Sequence, residues 1–104
     1  MDCATTTDWI PVLKALADET RLGIVRQLLD GPRGVGELAE RLGVSNYNIS
    51  KHLRVLRETE LVVMHKHGKA KDCELAAEFR EKLEQNENVL DLGCCTFRFD
   101  DVPS

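Results

Sequence analysis

The sequence has no apolar run approaching the length needed to cross a bilayer, no internal repeat and no low-complexity tract. A membrane-spanning, solenoid or disordered reading therefore has nothing to rest on. It also lacks a Cys-x-x-Cys pair, a phosphate-cradling glycine loop and any alternation of strand and helix patterns that could build a catalytic pocket. A thiol-dependent enzyme remains only as a remote alternative. The opening residues, MDCATTTDW, are acidic and polar where an export signal is basic and then apolar, so a cytoplasmic location is expected. In that compartment the four cysteines, Cys3, Cys73, Cys94 and Cys95, are expected as reduced thiols rather than as a disulfide framework.

A chain of 104 residues makes one domain with a thin core, and such domains gain from burying surface against a second copy. A homodimer is thus expected on size alone. The net charge of −4 is unevenly spread. Residues 1–44 carry five basic and seven acidic groups, residues 45–71 carry six and two, and residues 72–104 carry three and nine. The middle third is a basic island inside an acidic chain, and local potential, not total charge, decides which partner is attracted.

Helical periodicity dominates the first half. Val12, Leu13, Leu16 and Ala17 give a stripe from Asp8 to about Ala17, with Pro11 tolerable in a first turn. Asp18 is placed to cap a second helix carrying Leu22, Val25, Leu28 and Leu29, ended by Gly31-Pro32. A short third helix, Val35 to Leu42, stops at Gly43. Ser45 then caps a fourth helix reaching Thr59. Its Ile49, Leu53 and Leu56 lie on one face, and Tyr47, Ser50, Lys51 and Arg54 lie nearly opposite. One side packs and the other is free to read something.

Leu61 to His65 reads as a strand, His67-Gly68-Lys69 as a turn and Asp72 to Leu75 as the returning strand. From Ala76 to about Leu90 the pattern is again helical, with Phe79, Leu83 and Leu90 the few apolar anchors among charges. So sparse a stripe suits a dimer interface better than a core. The stretch GCCTFRFDDVPS shows no period and its structure is left open.

Helix, glycine turn, helix and basic-tipped hairpin is the order of a winged helix-turn-helix, whose second helix enters the major groove. The expected fold is mostly α with a β-hairpin wing. Residues 1–92 would form the DNA-binding and dimerisation domain, and 93–104 a cysteine-containing tail. Asn46, Asn48 and Ser50 can donate and accept at base edges, and Lys51 and Arg54 can meet phosphate or guanine. Ser45 caps the helix; Tyr47 could stack on the DNA backbone or cover the turn. Lys66, His67 and Lys69 at the hairpin tip would touch flanking backbone or minor groove. His52 falls toward the packed side and is read as structural.

The segments LKALADETRLGIVRQLLDG, VGELAERLGVSNYNISKHLRVLRETELV and HKHGKAKDCEL, in that order over roughly residues 9–90, resemble the ArsR/SmtB family of metal-responsive repressors. The resemblance implies a winged-helix homodimer joined through its first and last helices. It further implies a double-stranded operator with dyad symmetry, released when an inducer, commonly a metal or metalloid ion, binds. The family's Cys-Val-Cys arsenic site would fall at Gly34 to Arg41, which contains no cysteine. Its zinc and nickel site on the last helix needs histidine, and residues 76–90 have none.

What remains is Cys94-Cys95 with Cys3 in the N-terminal arm. Trivalent arsenic or antimony prefers three soft sulfurs, so this vicinal pair plus a third thiol is a sensible ligand set for arsenite or antimonite. Cys73 reads more simply as packing, and a His65, His67 and Cys73 site for a harder metal is a minor alternative. The same fold answering to zinc, copper or thiol oxidation is the main rival.

Overall fold

Asp18 divides the N-terminal region into two helices. The computed structural model describes residues 9–67, 70–91 and 96–99. Helix α1 spans Trp9–Leu16 and α2 spans Glu19–Leu28. The Asp18 carboxylate accepts the Arg21 N–H at 3.0 Å, satisfying one of the donors that a helix start leaves open. The expected cap is therefore in place, although α2 closes at Leu28, short of Gly31. Gly31 (φ +133°) then turns the chain through a conformation that only glycine takes easily.

Arg33 holds the connection from α2 to the next helix. Its Nε donates to the Gln27 carbonyl at 2.9 Å, and its guanidinium meets Glu37 at 2.8 Å and Asp30 at 3.7 Å. Arg33–Gly34 thereby runs as a short strand, β1, before α3 (Val35–Leu42) and α4 (Asn46–Glu58). Two longer strands, β2 (Val62–His67) and β3 (Ala70–Leu75), form the hairpin, with Met64 opposite Cys73 and His65 opposite Asp72. Strand β1 adds to β3, with Arg33 opposite Cys73, so the sheet order is β1-β3-β2. Two residues are too few to show an alternating pattern, which is why β1 is invisible in the sequence.

The core gathers one face of every element. Leu16, Ile24, Val25, Leu38, Ile49, Leu53, Leu56, Val62 and Leu75 are essentially sealed from solvent. Cys73 lies among them, fully buried on the middle strand, and burial pushes its thiol up to about 11. It behaves as a small apolar side chain.

The C-terminal region departs from expectation. Helix α5 covers Ala77–Gln85 and does not reach Leu90. Glu87 (φ 52°) and Asn88 (φ 65°) both take the left-handed conformation, which a helix cannot continue through. The Asn88 N–H returns to the Leu83 carbonyl at 2.7 Å, and the Asn86 side-chain amide donates to the Val89 carbonyl at 3.0 Å. The chain then forms a second hairpin from β4 (Val89–Asp91) and β5 (Thr96–Arg98), with Leu90 opposite Phe97.

This hairpin corrects the reading of Phe79, Leu83 and Leu90 as a stripe left for a partner. All three are buried within the chain, together with Phe99, which meets Phe79 edge-on at 6.2 Å and stacks near Phe97 at 6.4 Å. The stripe is sparse because the missing apolar partners come from the chain beyond residue 92, and 96–99 pack onto the core.

Two consequences of this packing are measurable. Gly43 closes α3 at φ 69°, and a methyl group there would meet nothing within 4 Å. Gly43→Ala should therefore lose about 1–2 kcal/mol in urea unfolding, purely from backbone strain, and Gly43→Asn should lose less. An unchanged midpoint for Gly43→Ala would contradict the turn. Cys73 should resist iodoacetamide at about pH 8 until urea unfolds the chain, as peptide mapping would show; rapid native labelling would contradict its burial.

Candidate nucleic-acid interface

Helix α4 is built to present one face. The Ser45 Oγ accepts the Asn48 N–H at 3.1 Å, and the Ile49 N–H donates to the Ser45 carbonyl at 3.0 Å, so the helix begins at a defined point. Gly43 in the left-handed conformation supplies the sharp turn out of α3, with the Val44 N–H on the Ala39 carbonyl at 3.1 Å. Ile49, Leu53 and Leu56 point inward and are buried. Their burial sets the rotation of the helix, and Asn46, Tyr47, Asn48, Ser50, Lys51 and Arg54 are all exposed as a result.

Tyr47 decides how that face is read. Its ring is 74% exposed, one of two large apolar side chains standing clear of the surface among the described residues, so it does not serve to cover the turn. An aromatic ring beside amides and cations at a helix start is suited to contact with a nucleic-acid backbone. Lys51 is exposed. Arg54 forms an ion pair with Glu58 at 3.2 Å, but both side chains are largely in solvent, and such an i,i+4 pair is worth only about 0.3–0.5 kcal/mol. Arg54 is thus available to a stronger anion.

The polarity of the helix agrees with this use. Asn46, Tyr47, Asn48, Ser50 and Lys51 occupy its first two turns, where the backbone dipole is positive, and Arg54, Arg57 and Glu58 follow toward its other end. On the wing, Lys66 is exposed and directly opposite Lys71, also exposed. Two like charges facing each other across strands repel, so the pair makes this edge of the wing locally positive. Lys71 was missed in the sequence, because only the hairpin register shows that it faces Lys66. His67 ends β2, inside the strand rather than in the turn; its side chain and Lys69 lie outside the described residues.

Structural support for this face comes from behind it. His52 is on the inner side of α4, where its Nδ1 lies 3.1 Å from Arg21 Nη1 and 3.9 Å from Asp18 Oδ1. Arg21 also donates to the Lys14 and Ala15 carbonyls at the end of α1, tying α1, α2 and α4 at one point. Burial works against the Asp18 carboxylate, yet the Arg21 N–H, with His52 and the Arg21 guanidinium nearby, holds it below its ordinary value. The structural reading of His52 fits this geometry.

No group of three histidine, cysteine or acidic side chains able to hold a metal ion occurs among the described residues. Cys3, Cys94 and Cys95 lie outside them. The alternative of His65, His67 and Cys73 fails on strand geometry. His65 pairs with Asp72 and shares its side of the sheet with Glu74, 2.6 Å from His65 Nε2, whereas Cys73 points to the opposite, buried side. No helix among the described residues is long and apolar enough to cross a membrane.

Comparison with known proteins agrees with this architecture. Residues 18–63 match the model of the family described as bacterial regulatory protein, arsR family. The chain is 48% identical over 61 residues to the arsenical resistance operon repressor of Escherichia coli, covering 58% of this chain and 52% of that protein. The chain spans about half the length of the curated relatives it matches. Among solved structures, HlyU from Vibrio cholerae is 36% identical with a TM-score of 0.68, covering 77% of this chain and 88% of that one. The DNA-binding domain of Mb0332 from Mycobacterium bovis, described as a homodimeric winged helix-turn-helix and a possible ArsR-family regulator, is 27% identical with a TM-score of 0.71 over 82% and 80%. These relatives are regulators and not enzymes. With α3, Gly43, α4 and the β2–β3 wing in the order their fold requires, the chain belongs to the arsR family of bacterial regulatory proteins.

Proposed function

We propose that the protein is a cytoplasmic, DNA-binding transcriptional repressor that sits on an operator with dyad symmetry as a homodimer and releases it on binding arsenite or antimonite. The observation that carries the DNA reading is the rotation of α4. Burial of Ile49, Leu53 and Leu56 turns Asn46, Tyr47, Asn48, Ser50, Lys51 and Arg54 outward together. An α-helix with that face fits the major groove, while the Lys66 and Lys71 side of the wing lies along the neighbouring phosphates.

Homodimerisation is supported by a cleft of about 470 Å³ between the first and last helices, lined by Pro11 and Val12 of α1 and by Phe79 and Lys82 of α5. Glu58 to Leu61, at and after the end of α4, line it as well, together with Glu78 and Leu90. A second copy packed across these helices would cover this surface and set the spacing of two α4 helices on opposite half-sites. The inducer reading rests on chemistry alone: Cys94 and Cys95 are adjacent soft donors, Cys3 offers a third, and trivalent arsenic takes three sulfurs. The similarity to an arsenical resistance repressor supports it.

The test is selection of bound duplexes from a random library. The selected sequences should show two inverted half-sites about 10–10.5 base pairs apart, centre to centre; a single asymmetric site, or no enrichment, would overturn the dyad reading. Lys51→Ala and Arg54→Ala should each weaken binding to the selected duplex by about 1–3 kcal/mol, and whichever residue meets a phosphate should also flatten the salt dependence. Parental affinity in both variants would misplace the reading helix. In sedimentation the protein should run at twice its 11.7 kDa at micromolar concentration, and a persistent monomer would remove the dimer.

A further inference from the structure

We infer that Arg57, in the last turn of α4, holds a phosphate of the DNA strand that passes between α4 and the wing. The inference rests on the DNA reading of the proposed function and adds a contact that the outward row from Asn46 to Arg54 does not include. At about 3.6 residues per turn, Arg57 follows Ser50 by two turns and Asn46 by three, so it stands in line with them along one flank of the helix. The buried face of Ile49, Leu53 and Leu56 separates that flank from the one carrying His52, which faces Arg21 of α2. Arg57 is therefore turned away from α1 and α2.

The wing lies on that side. Burial, with Asp72 beside it, raises the Cys73 thiol of β3, and the Arg57 guanidinium is close enough to work against that rise. Lys71 is two residues from Cys73 on β3, and Lys66 is two residues from its partner Met64 on β2, so all four point to one side of the hairpin. Cys73 is buried in the core, so this is the side that the helices cover, and Lys66 and Lys71 extend it past the core toward the tip. The Leu61 N–H returns to the Leu56 carbonyl at 2.9 Å, and β2 then runs back against α4. Arg57, Lys66 and Lys71 thus border one seam between helix and hairpin. All three are exposed and make no ion pair among the described residues; the acid next to Arg57, Glu58, is turned to Arg54 at 3.2 Å. A seam bordered by cations without acidic partners attracts a polyanion. Base edges are read from the first turns of such a helix, so a cation in its last turn meets the sugar–phosphate backbone.

The experiment uses the full chain, the duplex chosen by selection and an unrelated duplex of equal length. Affinity is measured between about 50 and 200 mM potassium chloride for the parent, Arg57→Gln, Arg57→Lys and Arg98→Gln. Arg98 is an exposed cation on β5, in the other hairpin, and serves as the control for charge alone. Arg57→Gln should weaken binding to both duplexes by the same factor, on the order of tenfold at the lowest salt. Its plot of log affinity against log salt should flatten by about 0.9 for each protomer bound. Arg57→Lys, which keeps the charge, and Arg98→Gln should both retain the parental slope. A parental slope in Arg57→Gln, or a loss confined to the selected duplex, overturns the phosphate contact. So does equal flattening in Arg98→Gln, or an Arg57→Lys that behaves as Arg57→Gln. A parent that binds neither duplex overturns the DNA reading itself, and the contact with it.

Discussion

The rotation of α4 is the constraint on which the rest of the molecule depends. Three buried side chains, Ile49, Leu53 and Leu56, fix which way this helix faces, and everything offered to a partner is offered because it lies opposite them. Burying a leucine-sized side chain is worth about 1.5–3 kcal/mol. Turning the helix to hide its polar face would forfeit several such terms and bury amides and cations without partners. The exposed row from Asn46 to Arg54 is thus a consequence of packing on the opposite side of the helix.

The same constraint explains the polar joint behind the helix. Arg21 ties the end of α1, the start of α2 and the inner side of α4 through carbonyls, the Asp18 cap and His52. Hydrogen bonds are directional where apolar contacts are not, so this joint fixes the angle of α4 against the other helices. The exposed face and the joint are two sides of one helix with separate tasks: the outer side is offered to a partner, and the inner side keeps the outer one still.

Much of this was legible in the sequence, for identifiable reasons. Asp18, Gly43 and Ser45 are local signals whose meaning does not depend on distant residues, and each does in the structure what its chemistry predicts. Apolar spacing in α4 was long enough to define a face. The C-terminal third was harder. Phe79 and Leu83 look like an under-filled helix until Phe97 and Phe99 return from the second hairpin, and no local pattern announces that return. The end of α5 depends on left-handed Glu87 and Asn88, and glutamate gives no hint of that conformation. The pairing of Lys66 with Lys71 needed the strand register, and two-residue β1 needed its neighbour β3.

The central claim is that α4 reads the major groove, and methylation interference on a bound duplex tests it most directly. Methyl groups on guanine N7 project into the major groove, and those on adenine N3 into the minor groove. The account predicts that N7 methylation blocks binding in two clusters about one helical turn apart, with any N3 effects confined to positions flanking them where the wing lies. Interference from N3 methylation alone, with N7 methylation tolerated throughout, would contradict it.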